Sequence, residues 1–128
     1  MTGPDAARRI LIADDDRQFL EALQTWLTGY RDFEVEAVAD GEAAIEAIDS
    51  SVELFLCDRR MPELAGEEVI ERMRDLGHDV PTIVISAYEP DTYLHEGDVD
   101  MYLQKPIDRR ELLDAIDEVL SERRPDHE

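Results

Sequence analysis

The stretch Ile10-Leu11-Ile12-Ala13-Asp14-Asp15-Asp16 decides the fold. Four apolar residues, too few for a helix, run straight into three carboxylates. A short, wholly apolar run of this kind reads as a strand buried on both faces. Beyond the carboxylates, Phe19, Leu20, Leu23 and Leu27 fall on one helical face, and Gly29 stands where a helix-ending glycine belongs. The unit is therefore strand, acidic turn, amphipathic helix.

Working outward, the same alternation recurs along the chain. Apolar runs at 33–39, 54–57, 82–85 and 101–103 read as further strands. Ala44, Ile45 and Ile48 form a helical stripe after the Asp40-Gly41 turn. Val69, Ile70, Met73 and Leu76 form another, closed by Gly77. Leu112, Leu113, Ile116 and Val119 form the last, with Asp108 and Glu111 placed as an acidic capping box. A fourth, short helix fits only within 90–97, with Pro90 in its first turn. Alternating strands and helices imply a parallel sheet covered on both faces. In the run 33–39, Glu34 and Glu36 alternate with Phe33, Val35 and Ala37, which places that strand at an edge.

Composition bounds the function. The chain has 128 residues, 43% of them apolar, enough for one domain with a real core. Its net charge of −20 disfavours broad contact with nucleic acid or an anionic membrane. Twelve basic residues are arginine and only Lys105 is lysine, a balance that suits a surface kept soluble in high salt. Cys57, the single cysteine, reads as a buried small hydrophobe. No run approaches the ~18 apolar residues of a membrane span, and residues 1–7 lack a signal-peptide core, so a cytoplasmic location is expected.

Ligands of doubly wound sheets bind outside the carboxyl ends of the strands. Asp14, Asp15 and Asp16 sit there after the first strand, Asp58 after the third, Ser86 after the fourth, and Lys105 with Pro106 after the fifth. Clustered carboxylates without histidine or thiolate suit Mg²⁺. An ammonium and a hydroxyl suit an anion, so the set fits a metal held against a phosphoryl group, with a carboxylate as nucleophile. Each piece alone is ordinary. An Asp-Asp-Asp run is usually a solvated loop or a helix cap, Lys-Pro a loop, and a lone Tyr102 a packing residue. His78, His95 and His127 carry no assigned role.

Taken in order, Ile10 to Asp16, Asp58-Arg59-Arg60-Met61-Pro62 with Gly66, Ser86-Ala87 and Tyr102-Leu103-Gln104-Lys105-Pro106 resemble the receiver domain of two-component response regulators. The resemblance covers residues 8–121, leaving 1–7 and 122–128 as polar tails. It implies a flavodoxin-like, doubly wound α/β fold with five parallel strands in the order 2-1-3-4-5. It further implies that Asp58 is the phosphoacceptor, taking its phosphoryl group from a sensor histidine kinase or phosphotransfer protein. Asp15, Asp58 and the Arg60 carbonyl would bind Mg²⁺ directly, and Asp14 would act mainly through water. Lys105 would pair with the phosphoryl group, Ser86 would be the switch hydroxyl, and Tyr102 the aromatic that follows it. The peptide before Pro106 would be cis.

The surface built from the fourth helix, fifth strand and last helix would be remodelled toward a downstream effector or a phosphorylation-dependent homodimer. No external substrate would be turned over, so the chain is not expected to be an enzyme. Asp58-Arg59-Arg60 and the residues after Ser86 resemble haloarchaeal receivers of the HalX type. The alternatives are an input domain cut from a larger transcriptional or HalX-type regulator and a Mg²⁺-dependent aspartyl-phosphate phosphatase. The phosphatase would need an acid beside its nucleophile, where this chain has Arg59 and Arg60. Two departures stand out: the Ser86–Lys105 interval is about one helical turn short, and Asp98 stands where glycine is common. By the same resemblance, Arg60 and Tyr88 would flank the pocket and shield an acyl phosphate from water, giving slow self-dephosphorylation.

Overall fold

The five short apolar runs become five parallel strands in a computed structural model that describes residues 8–59, 66–87 and 99–122. They are β1 (Arg9–Ala13), β2 (Glu34–Val38), β3 (Val52–Cys57), β4 (Thr82–Ser86) and β5 (Met101–Gln104). Their order is β2-β1-β3-β4-β5, the order the resemblance implies, with the glutamate-bearing β2 at an edge. Four helices complete the described chain: α1 (Arg17–Leu27), α2 (Gly41–Ala47), α3 (Gly66–Asp75) and α4 (Arg109–Glu122). The short helix expected within 90–97 lies outside the described residues.

Strand alternation sends side chains to two separate cores. Ile10, Ile12, Leu54, Leu56, Ile83 and Ile85 pack against Leu20, Leu23 and Leu27 of α1 and Leu112, Ile116 and Val119 of α4. Leu11, Ala13, Phe55, Cys57 and Val84 face the other way, onto Ala44 of α2, Ile48 at its C-terminal end, and Val69, Ile70 and Met73 of α3. Register is therefore tightly specified. A one-residue slip of β3 would exchange Leu54 and Leu56 with Phe55 and Cys57 and mismatch both layers. Each fully buried Leu, Ile or Phe contributes roughly 1.5–3 kcal/mol.

Helix ends follow the sequence signals with one correction. Asp108 and Glu111 exchange side-chain to backbone bonds of 2.8 and 3.2 Å, a reciprocal capping box. Asp40 caps α2 through the Ala43 amide at 2.8 Å. Leu76, read as part of the α3 apolar stripe, is instead 61% exposed. The helix has already ended at Asp75, and Gly77 turns left-handed with φ +91°. The amides of Gly77 and His78 return to the carbonyls of Arg74 and Met73, which leaves Leu76 pointing away from the core.

After α1 the chain makes a tight turn in which Arg31 and Asp32 adopt positive φ of 51° and 62°. Two non-glycine residues there are strained and need compensation. Arg31 pairs with Asp117 of α4 at 2.9 Å, and the Tyr30 hydroxyl donates to the same carboxylate. Burial first, then the Asp117 bond and charge, push the Tyr30 phenol up from 10.0 to about 12, against a smaller opposing pull from Arg31. Because the folded value lies above the unfolded one, the tie is complete below about pH 10 and weakens as pH climbs toward about 12. Tyr30→Phe should cost about 0.5–1.5 kcal/mol near neutrality. Urea unfolding at about pH 8 and about pH 11 should show that gap narrowing at the higher pH. An equal gap at both would show that the phenol proton is not involved.

Candidate functional site

The site grows out of the sheet's register. Ala13 at the end of β1 pairs with Cys57 at the end of β3, so the next residues, Asp14 and Asp58, leave the sheet side by side. Backbone bonds extend the ladder beyond the strands: Asp58 N–H to the Ala13 carbonyl at 2.9 Å, Asp14 N–H to the Val38 carbonyl at 3.2 Å. On the far side, the Lys105 amide donates to the Ser86 carbonyl at 2.7 Å. Four strand ends thus deliver Asp14, Asp58, Ser86 and Lys105 to one edge.

Asp14, Asp15 and Asp58 each place an oxygen within 4.8 Å of the others. Asp14 and Asp58 are buried and Asp15 is exposed, so the cluster opens to solvent through Asp15. The third aspartate of the run goes elsewhere. Asp16 accepts from the Gln18 and Phe19 amides at 3.1 and 3.2 Å and caps α1, while its own amide donates to Asp14 at 2.8 Å. One of the three consecutive carboxylates is a helix cap, and two belong to the site.

The Lys105 ammonium lies 3.0 Å from Asp14 and 3.9 Å from Asp58. Three carboxylates against one ammonium leave a net −2 among these four groups. Oxygen-only donors with that excess charge fit a hard divalent cation such as Mg²⁺. The Lys105–Pro106 peptide is cis. Ser86 is fully buried at the end of β4. Tyr102 is half-buried on β5, in register with Val84 and against the α2–α3 core. Arg60 and Tyr88 lie outside the described residues.

Three contributors were not assigned a role from sequence. Arg59, though charged, is only 6% exposed beside Asp58. Gly66 opens α3 directly against the Asp58 loop, its amide donating to the Arg59 carbonyl at 2.8 Å. A β-carbon there would strike the Asp58 carbonyl oxygen and lie 3.0 Å from the Arg59 α-carbon. The place of Gly66 after Asp58-Arg59-Arg60-Met61-Pro62 in the resemblance is the available sequence signal. Phe19, read only as core, also puts its ring 4.3 Å from the Lys105 ammonium. Cys57 is buried as expected, its thiol donating to the Asp58 carbonyl at 3.1 Å.

Comparison with known proteins agrees with this geometry. Residues 10–117 match the response regulator receiver domain family. A Haloferax volcanii protein described as a candidate transcriptional regulator is 37% identical over 115 residues, covering 90% of this chain and 20% of its own length. Response regulator SaeR of Staphylococcus epidermidis is 31% identical over 81% of this chain and 46% of its own length. The chain therefore spans less than half of either relative. The crystal structure of a CheY-like receiver domain from Methanospirillum hungatei superposes with TM-score 0.73 at 29% identity, over 91% of this chain and 95% of that one. No described helix is long and apolar enough to cross a membrane. By its strand order, its acidic strand-end cluster and this match, the chain belongs to the response regulator receiver domain family of two-component systems.

Proposed function

We propose that Asp58 accepts a phosphoryl group from a sensor histidine kinase or phosphotransfer protein, and that the chain works as a phosphorylation-driven switch. The observation that carries this is the convergence of Asp14, Asp15 and Asp58 on one point beside the Lys105 ammonium. An Asp58 oxygen forms a bond to phosphorus as the phosphorus–nitrogen bond of the donor phosphohistidine breaks and its imidazole takes up a proton. Asp15, Asp58 and the Arg60 carbonyl would hold Mg²⁺, with Asp14 acting through water. The ion would supply charge neutralisation between the carboxylates and the incoming phosphoryl oxygens.

The chain's own residues do the rest. Lys105, 3.0 Å from Asp14 and 3.9 Å from Asp58, would turn from Asp14 to the new phosphoryl oxygen on Asp58. The Ser86 hydroxyl donates to another oxygen, and Tyr102 follows it, altering the β5 and α4 surface. That surface would engage a downstream effector or a second copy of the chain. The charge of −20 argues against direct nucleic-acid contact, so any DNA binding would belong to an attached domain, as in an input domain of a larger regulator. Arg59 and Arg60, directly after Asp58, argue against a phosphatase that turns over external substrates. Acid-rich, lysine-poor composition and the Haloferax relative support a salt-adapted, cytoplasmic protein.

The test is intact mass after incubation with acetyl phosphate, with and without Mg²⁺. One phosphoryl mass should appear only with metal. No gain under either condition, or equal gain under both, would overturn the reading.

A further inference from the structure

Lys105 has two anionic partners that compete for it. Asp14 is the nearer at 3.0 Å and Asp58 the farther at 3.9 Å. A lysine side chain carries ~2 kcal/mol of rotamer entropy and has no fixed fork to direct it. An ion pair with Asp14 alone would draw the ammonium away from the reacting oxygen. A third contact lies on neither carboxylate: the ammonium sits 4.3 Å from the centre of the Phe19 ring.

That ring is well placed to act as a platform. Phe19 is the first apolar residue of the α1 stripe, held where the Asp16 cap accepts its amide. It is half-buried, packs against the α1–α4 core and walls a cavity of about 450 Å³ with Trp26, Ala87, Lys105, Pro106 and Ile107. The Lys105 side chain is itself only 19% exposed, and a partly desolvated cation gains more from an aromatic face than an exposed one. A ring face attracts a cation over a broad area, whereas a carboxylate oxygen localises it. It therefore supports the ammonium without adding a further negative charge to compete with Asp58.

We infer that Phe19 is a positioning residue that holds the Lys105 ammonium between Asp14 and Asp58. This rests on the phosphoacceptor reading for its consequence, but the hold itself is measurable without phosphorylation. Lys105 is the only lysine in the chain, so [¹³C]lysine labelling gives one side-chain ε-CH₂ resonance. In the native chain it should be shifted upfield by the Phe19 ring current. Phe19→Leu, which keeps an apolar side chain on α1, should remove that shift and slow phosphorylation by acetyl phosphate by about three- to thirty-fold. Phe19→Tyr should restore both.

An unchanged lysine resonance in Phe19→Leu would overturn the inference, as would a tyrosine variant that behaves like the leucine one. A native rate in Phe19→Leu despite a lost shift would overturn the positioning role. Should the native chain take up no phosphoryl group at all, the phosphoacceptor reading fails, and the resonance alone decides whether Phe19 holds Lys105.

Discussion

Asp58→Asn should gain no phosphoryl mass under any condition, yet in metal-free buffer it should melt above the native chain. The first effect follows from chemistry, since an amide oxygen cannot form the acyl phosphate. The second follows from charge. Asp58 shares a 4.8 Å cluster with Asp14 and Asp15, and like charges about 4 Å apart repel by about 1 kcal/mol in water and about 4 at a partly buried site. Its attraction to Lys105, at 3.9 Å, offsets one of those two repulsions. Neutralising Asp58 should therefore stabilise the fold by about 1 kcal/mol, or about 3–5 °C for a domain of this size. Mg²⁺ should reverse the ranking, because a ligand that binds only the folded native site raises its stability. Thermal unfolding with and without Mg²⁺, beside intact mass, reads both effects. A variant that melts below the native chain without metal would refute the charge argument.

Gly66→Ala should be costly in a different way. Its β-carbon would meet the Asp58 carbonyl oxygen, the Arg59 α-carbon at 3.0 Å and the Cys57 sulfur at 3.2 Å. Two of these atoms are backbone and cannot rotate aside, so the loop bearing Asp58 must shift. Overpacking of this kind costs about 1–3 kcal/mol. Phosphorylation should slow as well, because misplacing a nucleophile by an ångström can cost about a hundredfold. Gly77→Ala is the control. It sits at φ +91° with no atom within 4 Å of the new β-carbon, so it should lose about 1–2 kcal/mol through backbone strain alone. Its phosphorylation rate should match the native one. Equal rates in both variants would show that Gly66 matters only for stability.

What was legible in the sequence was whatever repeats with a period or carries a charge at a strand end. Leu54, Phe55 and Leu56 announce a strand dry on both faces, and Glu34 and Glu36 announce an edge. Asp14, Asp58, Ser86 and Lys105 are legible because each terminates such a run. Leu76 misled because helical spacing says nothing of where the helix ends, and the chain leaves α3 after Asp75 and turns left-handed at Gly77. Asp16 and Asp15 are adjacent and chemically identical, so only the loop geometry separates the helix cap from the member of the acidic cluster. The contacts that Phe19 and Gly66 make were opaque for a common reason. Each acts on a residue distant in sequence, Phe19 on Lys105 and Gly66 on Asp58, and no local pattern encodes a three-dimensional approach.

The sheet's burial also divides the site by how readily its walls can open. Asp14 and Asp58 hang from β1 and β3, interior strands whose residues are almost all buried. Tyr102 belongs to β5, a four-residue edge strand that is only half-buried, and Lys105 follows directly after its last residue. Free energies of local opening range from near zero at such edges to the global unfolding value in the core. Asp14 and Asp58 are thus tied to the most protected part of the sheet, while the ammonium and the aromatic are expected to detach by a smaller fluctuation. On the phosphoacceptor reading proposed above, the anionic wall would set where the phosphoryl group is held, and the cationic wall would be the part free to respond on a faster clock.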